Sequence, residues 1–186
     1  MDALRINPGN IGGKADVDRV VDAARVRGAC IRIGVNSGSL EKDLLRAHGG
    51  PCPEAMVESA MRHVRMLEDR DFDRIKISLK SSSVIDTLAA YRLLAEKCNY
   101  ALHAGITEAG TLVRGAVKSA VCIGLLLAEG LGDTLRVSLT HYPVREGEVA
   151  WQILAALDPR RRGPGIRAAP ARRRTVNHLN RPVYTS

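Results

Sequence analysis

The chain has 186 residues, enough for one domain with a real core but short of the ~250 residues of a complete (βα)8 barrel. Its 45% hydrophobic content is ordinary for a globular protein, no apolar run is long enough to cross a bilayer, and the first residues lack the pattern of a secretory signal. The net charge of +8 does not mark a nucleic-acid-binding body: residues 158–186 carry eight arginines and one acid, a net of +7, which leaves +1 for the preceding 157 residues.

Short apolar strands alternate with amphipathic helices along residues 1–157. The first strand is expected at Leu4–Asn7. Val17, Val20, Val21 and Ala24 then share one helical face between Asp16 and Arg27, with Asp16 suited to N-cap that helix. A second strand follows at Ile31–Asn36. Met56, Val57, Ala60, Val64 and Leu67 mark a helix over Glu54–Asp69, with Pro53 suited to its start. The third strand is Ile75–Lys80, and Val84, Leu88, Tyr91 and Ala95 form the next helical stripe. Strand Ala101–Ile106 precedes a helix over Gly115–Glu129, closed by Gly130 at C′. Strand Leu135–Thr140 and a helix through Val149, Ile153, Leu154 and Leu157 complete five βα units, which implies a parallel sheet with right-handed crossovers. The Pro/Arg/Ala-rich stretch 158–186 has little apolar periodicity and reads as a disordered tail.

Strand parity decides between an open sheet and a barrel. Strands of a doubly wound sheet are buried on both faces and run continuously apolar, whereas these alternate. One parity is aliphatic, as in Ile31, Ile33 and Val35 or Ile75, Ile77 and Leu79. The other is polar: Arg5 and Asn7; Arg32 and Asn36; Lys76, Ser78 and Lys80; His103; Arg136, Ser138 and Thr140. Successive side chains on a strand face opposite sides. The expected fold is therefore α/β, part of a (βα)8 TIM barrel, with helices on the aliphatic face and an unusually polar lumen.

Several cations in one lumen repel one another and lose hydration, and the polar parity contains no Asp or Glu to offset them. An anionic ligand would. Arg offers a planar fork for phosphate, Lys a point charge, and Asn and Ser neutral hydrogen bonds. Asn7, Asn36, Lys80 and Ser138 fall at C-terminal strand ends, where barrels bind ligands. A phosphate ester or diphosphate is the simplest fit. Asn7–Asn10 and Gly12–Lys14 suit either a phosphate cradle or plain turns, His103 either acid–base work or a core hydrogen bond, and Glu108 either catalysis or a helix cap. Cys30, Cys52, Cys98 and Cys122 lie far apart without a C-x-x-C pair, the pattern of single buried thiols and of no metal site.

The motifs L-R-I-N-P-G-N-I-G (Leu4–Gly12), I-R-I-G-V-N-S-G-S-L-E-K-D (Ile31–Asp43), E-S-A-M-R-H-V (Glu58–Val64), K-I-S-L-K-S-S (Lys76–Ser82), L-H-A-G-I-T-E-A-G (Leu102–Gly110), G-A-V-K-S-A (Gly115–Ala120) and E-G-L-G-D-T-L-R-V-S-L-T (Glu129–Thr140) follow in order. Together they resemble the 4-hydroxy-3-methylbut-2-enyl diphosphate synthase family of the methylerythritol phosphate isoprenoid pathway. The resemblance implies a cytoplasmic iron-sulfur oxidoreductase that opens 2-C-methyl-D-erythritol 2,4-cyclodiphosphate and dehydrates it to the allylic diphosphate. Ferredoxin or flavodoxin supplies the electrons, through a [4Fe-4S] cluster on a further domain, and the family is a homodimer. By the same resemblance Arg5, Asn7, Arg32, Asn36, Lys80, Arg136 and Ser138 contact the substrate, Glu108 is a candidate for proton transfer, and His103 lies on the same motif. Lys118 and Ser119 match a family motif at a helix start, as ligand contacts or as caps.

The chain also departs from the family. Three further βα units are expected before Leu4 and a C-P-x-C-G-R motif after Arg160–Pro164, and the cysteines present are not at cluster-ligand positions. The expectations are a reading-frame shift near Asp158–Gly165 and little turnover by this chain alone. Two other readings keep the barrel: a pterin-synthase-like enzyme, and a remnant that holds a phosphate ligand without reducing it. Specific nucleic-acid binding by the tail is not expected, since it has one aromatic, Tyr184, for base stacking.

Overall fold

The computed structural model describes residues 3–7 and 14–157. Five parallel strands, β1 (Ala3–Ile6), β2 (Cys30–Asn36), β3 (Ile75–Lys80), β4 (Ala101–Ala104) and β5 (Thr134–Leu135), form one sheet in the order β1-β2-β3-β4-β5. Between and after them run α1 (Lys14–Arg27), α2 (Lys42–His48), α3 (Pro53–Glu68), α4 (Val84–Ala95), α5 (Leu112–Ala128) and α6 (Pro143–Ala156). The strand order never reverses. Right-handed crossovers in one direction place the main helices on one face, so the other becomes the wall of a lumen. This is the TIM-barrel arrangement that strand alternation predicts.

The aliphatic parity lies under the helices. Ile31, Ile33, Val35, Ile77, Leu79, Ala104 and Ile106 are all at most 1% exposed and share one core with Val17, Val21 and Ala24 of α1, Val57, Ala60 and Val64 of α3, and Leu88, Tyr91 and Leu94 of α4. A smaller cluster of Ile123, Val137 and Ile153 joins α5 and α6 to the chain after β5. Helix starts follow local chemistry. Pro53 stands in the first turn of α3, where the Cys52 thiol accepts the Ala55 amide at 3.4 Å, and Ser83 caps α4 by accepting the Asp86 amide at 3.2 Å. Gly130 follows α5 with φ +76°, as a C′ residue does.

Several boundaries differ from those expected. Helix α1 already includes Lys14, so Asp16 sits in its first turn, paired with Arg19, and does not cap it. Helix α2 was not expected; its seven residues bury one side chain, Leu44, too few for a periodic stripe. Helices α5 and α6 begin at Leu112 and Pro143, earlier than Gly115 and Val149, because the first turn of each carries exposed side chains and no inward stripe. Lys118 and Ser119 thus lie well inside α5, and Ser119 is fully buried, which rules out capping. Ladder pairing ends at Ala104 and Leu135, short of Ile106 and Thr140, although Arg136 N still donates to Ala104 O at 2.9 Å. Of the cysteines, Cys122 is buried and Cys30, Cys52 and Cys98 are only partly so. The Asn7–Asn10 and Gly12–Lys14 runs fall mostly, and the tail expected over 158–186 wholly, outside the described residues.

Candidate anion-binding site

Strand register gathers the polar parity. Arg5 pairs with Arg32 and Arg32 with Lys76, while Asn36 pairs with Lys80 four residues nearer the C-terminal strand ends. Arg5, Arg32, Asn36, Ser78, Lys80, Ile106, Thr107, Arg136 and Ser138 line a cavity of about 120 Å³. Six of the seven residues expected to contact substrate therefore meet at one place.

Two glycines make room for the cations. A Cβ built at Gly34 would lie 2.6 Å from Arg5 Nε, so the arginine crosses the sheet over a position without a side chain. Its Nη2 donates to Gly34 O at 3.4 Å and, with the Asn36 amide turned oxygen-inward, to that oxygen at 3.3 Å. At Gly105 a Cβ would meet Arg136 O at 2.6 Å and Lys80 Nζ at 3.1 Å. Lys80 thus reaches the cavity across a second bare position, at 9% exposure.

Charge in the cavity is almost uncompensated. Among the described residues its one ion pair joins Arg136 Nε to Glu146 Oε2 at 3.8 Å, and the neighbouring-acid pairing that would neutralise Arg5, Arg32 and Lys80 is not made. Burial, then Arg32, Arg136 and Arg5, push the Lys80 ammonium down to about 8. Burial, then Arg5 and Arg136, also lower Arg32, which stays charged because a guanidinium starts so high.

The remaining site residues lie around this cavity. Asn7 stands just beyond β1, and its Nδ2 donates to Ser39 Oγ at 3.3 Å in the turn after β2. Glu41, further along that turn, accepts Ser59 Oγ at 2.8 Å and so ties the turn to α3. His103 lines an adjoining cavity of about 390 Å³ at the opposite end of the strands, with Arg5, Arg32, Lys76, Thr134 and Arg136. Its Nδ1 lies 2.8 Å from Thr134 Oγ1, and its buried Nε2 has no protein partner. Burial, then Arg32, Lys80, Lys76 and Arg136, hold the ring down to about 3, so it is a neutral imidazole at pH 7. That state can accept a proton or a hydrogen bond but cannot act as a standing cationic acid. Glu108 is exposed in the loop after β4 at φ +51°, a left-handed backbone that costs a non-glycine residue about 1 kcal/mol.

Ser78, Thr107, Lys76 and Thr134 line these cavities and were not singled out as site residues. Ser78 and Lys76 share the parity of Lys80, and Thr107 extends the run His103, Gly105, so alternation alone could have found three of the four. The described residues gather no group of three or more His, Cys, Asp or Glu side chains fit to hold a metal ion, and therefore do not fit an iron-sulfur cluster. No helix among them is long and apolar enough to cross a membrane.

A singly wound sheet with helices on one face and a cationic, glycine-windowed wall on the other is the arrangement of a TIM-barrel domain. Residues 1–151 match the GcpE TIM-barrel domain, and the chain belongs to that family. It is 66% identical over 170 residues to the 4-hydroxy-3-methylbut-2-en-1-yl diphosphate synthase (flavodoxin) of Nitratidesulfovibrio vulgaris, covering 91% of this chain and 44% of that protein. Proteins of the same name from Maridesulfovibrio salexigens and Lawsonia intracellularis are 65% and 62% identical over 96% and 92% of this chain, and 50% and 48% of their own. The chain spans about half the length of the curated relatives it matches.

Proposed function

We propose that this chain supplies the diphosphate-holding wall of a 4-hydroxy-3-methylbut-2-enyl diphosphate synthase. The observation that carries this reading is a cluster of Arg5, Arg32, Lys80 and Arg136 with one neighbouring carboxylate, on the sheet face that a barrel turns inward. The substrate is then 2-C-methyl-D-erythritol 2,4-cyclodiphosphate. Its diphosphate offsets the cations, Asn36 and Ser138 hydrogen-bond its oxygens, and Asn7 holds the rim. Charge-assisted bonds to Arg fix its orientation as well as its affinity.

Ring opening with loss of water consumes two electrons and needs a proton near the departing oxygen. Glu108 is placed in this reading as the proton-transfer group, and the left-handed backbone at that loop position supports it, since such strain concentrates at functional sites. His103, neutral and with a free Nε2, serves as an acceptor deeper in the lumen. The electron donor is a flavodoxin, as the relatives' names say of them, or a ferredoxin. The [4Fe-4S] cluster and the homodimer of the resemblance lie beyond what the described residues hold, in a cytoplasmic enzyme.

Isothermal titration of the full chain with the cyclic diphosphate tests this reading. Saturable binding that is lost in Arg32→Ala and Arg136→Ala is expected. A folded chain that ignores the ligand would overturn it.

A further inference from the structure

Strands β3 and β4 pair at Lys76–Ala101 and Ile77–Leu102 and then part. That register sets Leu79 opposite Ala104, where a parallel ladder sends the Leu79 amide to the His103 carbonyl. Here the Tyr91 hydroxyl stands between them. Leu79 N donates to Tyr91 Oη at 3.2 Å, and Tyr91 Oη donates to His103 O at 2.5 Å. The next amide on that side, Ser81 N, is also taken by a hydroxyl of α4: it donates to Thr87 Oγ1 at 3.3 Å, and that hydroxyl donates back to Ser83 O at 2.7 Å rather than across to β4. Beyond the gap the original register resumes, with Thr107 N donating to Ser81 O at 3.2 Å.

Thr87 and Tyr91 are one helical turn apart on α4, and both are fully buried. Lys80 lies between these two amides, and its side chain passes over Gly105, just beyond β4. A phenylalanine would fill the core at position 91 as well as tyrosine does, so packing alone does not call for the hydroxyl. We propose that Tyr91 and Thr87 are positioning residues for the anion site: their hydroxyls occupy the amides on both sides of Lys80 and set the spacing of β3 from the chain at Gly105, over which Lys80 reaches the cavity on the lumen face. The inference rests on the anion-site reading for its purpose, and on the hydrogen bonds alone for its geometry.

The test uses the 186-residue chain and two variants that delete one hydroxyl each, Tyr91→Phe and Thr87→Val. Lys80 is titrated by carbon-13 NMR without ligand, with Lys80→Met to assign its signal, and affinity for inorganic pyrophosphate is measured by calorimetry. Loss of a hydroxyl lets β3 shift against the chain at Gly105 and moves Lys80 out of its buried place over that glycine. Its titration midpoint is then expected to rise toward the ordinary lysine value, and pyrophosphate to bind about fivefold more weakly, a change on the scale of one hydrogen bond. Thr87→Ser, which keeps the hydroxyl, should restore the wild-type midpoint. A folded variant with lowered Tm but an unmoved Lys80 midpoint overturns the proposal, since a purely structural role does just that. If Tyr91→Phe does not fold, Thr87→Val and Thr87→Ser decide in the same way. Failure of the wild-type chain to bind pyrophosphate would sink the anion-site reading, while the ligand-free titration would still decide the positioning role.

Discussion

Glu146 spans the edge of the sheet: its Oε2 lies 3.8 Å from Arg136 Nε while its Oε1 accepts the Leu139 amide at 2.9 Å. One carboxylate thus ties α6 to the chain after β5 and, among the described residues, is the acid paired with a cation of the cavity. It also raises Lys80 slightly against the larger downward pull of burial and three arginines. Glu146→Gln keeps an acceptor for Leu139 and removes the charge. Pyrophosphate should then bind about two- to fivefold more tightly, as expected for one charge withdrawn at half-exposed range, with the gain shrinking at high salt. Weaker binding in Glu146→Gln would show that the carboxylate orients Arg136 more than it competes with the ligand.

Lys80 makes the site costly to keep without ligand. It is held near 8 in the fold against 10.5 ordinarily, so between those values the unfolded chain carries a proton that the folded chain lacks. Through this residue stability therefore rises as pH increases from about 8 to 10.5, and below 8 the full penalty, about 3 kcal/mol at most, is present. Lys80→Met should be more stable than wild type at pH 7 by up to that amount. The difference should close as pH rises through the window, and the variant should lose pyrophosphate binding. Urea unfolding at pH 7 and pH 10 measures both limbs, and equal stabilities at pH 7 would contradict the burial of a charged Lys80.

His103 carries the opposite test, on the acid side. The fold holds it to about 3, below its ordinary 6.5, so the unfolded chain binds the extra proton between those values and stability falls as pH is lowered through them. Its imidazole carbon signals should stay unchanged from pH 8 to 4.5 in the ligand-free chain. Saturating pyrophosphate should raise the midpoint, because the bound anion offsets Arg32, Lys80, Lys76 and Arg136. A free-chain midpoint near 6.5 would place the ring in solvent and end its assignment to the lumen wall.

The two glycine windows should tolerate a methyl group differently. At Gly34 the first atom met is Nε of a long, flexible arginine, whereas at Gly105 it is the Arg136 carbonyl of the backbone. Gly105→Ala is expected to cost about 1–3 kcal/mol of stability, as overpacking does, and to displace Lys80 from the cavity. Gly34→Ala should leave stability nearly intact and weaken pyrophosphate binding only through Arg5. Thermal melts and titration of the two variants side by side check the contrast, and similar losses in both would refute it.

Much of this site is legible from strand parity, because side-chain alternation is local stereochemistry that no distant residue needs to confirm. Ile77 and Leu79 had to face one side and Ser78 and Lys80 the other, and that sidedness separates a barrel wall from an open sheet. The likeness of successive motifs added the ligand chemistry to those same positions. What parity does not encode is whether neighbouring strands touch. β4 pairs with β3 only to Leu102, short of the Ile106 that alternation suggests, and the next amides on the β3 side are taken by the hydroxyls of Tyr91 and Thr87, helical residues whose strand contacts no helical stripe encodes. The windows at Gly34 and Gly105 depend on Arg5 and Lys80, 29 and 25 residues away in sequence, and the neutrality of His103 depends first on its burial and then on four cations from three other strand segments. Alternation set the face of each side chain from its own backbone, whereas the gap, the cavity and the protonation states arise from contacts between segments that only the folded sheet brings within reach.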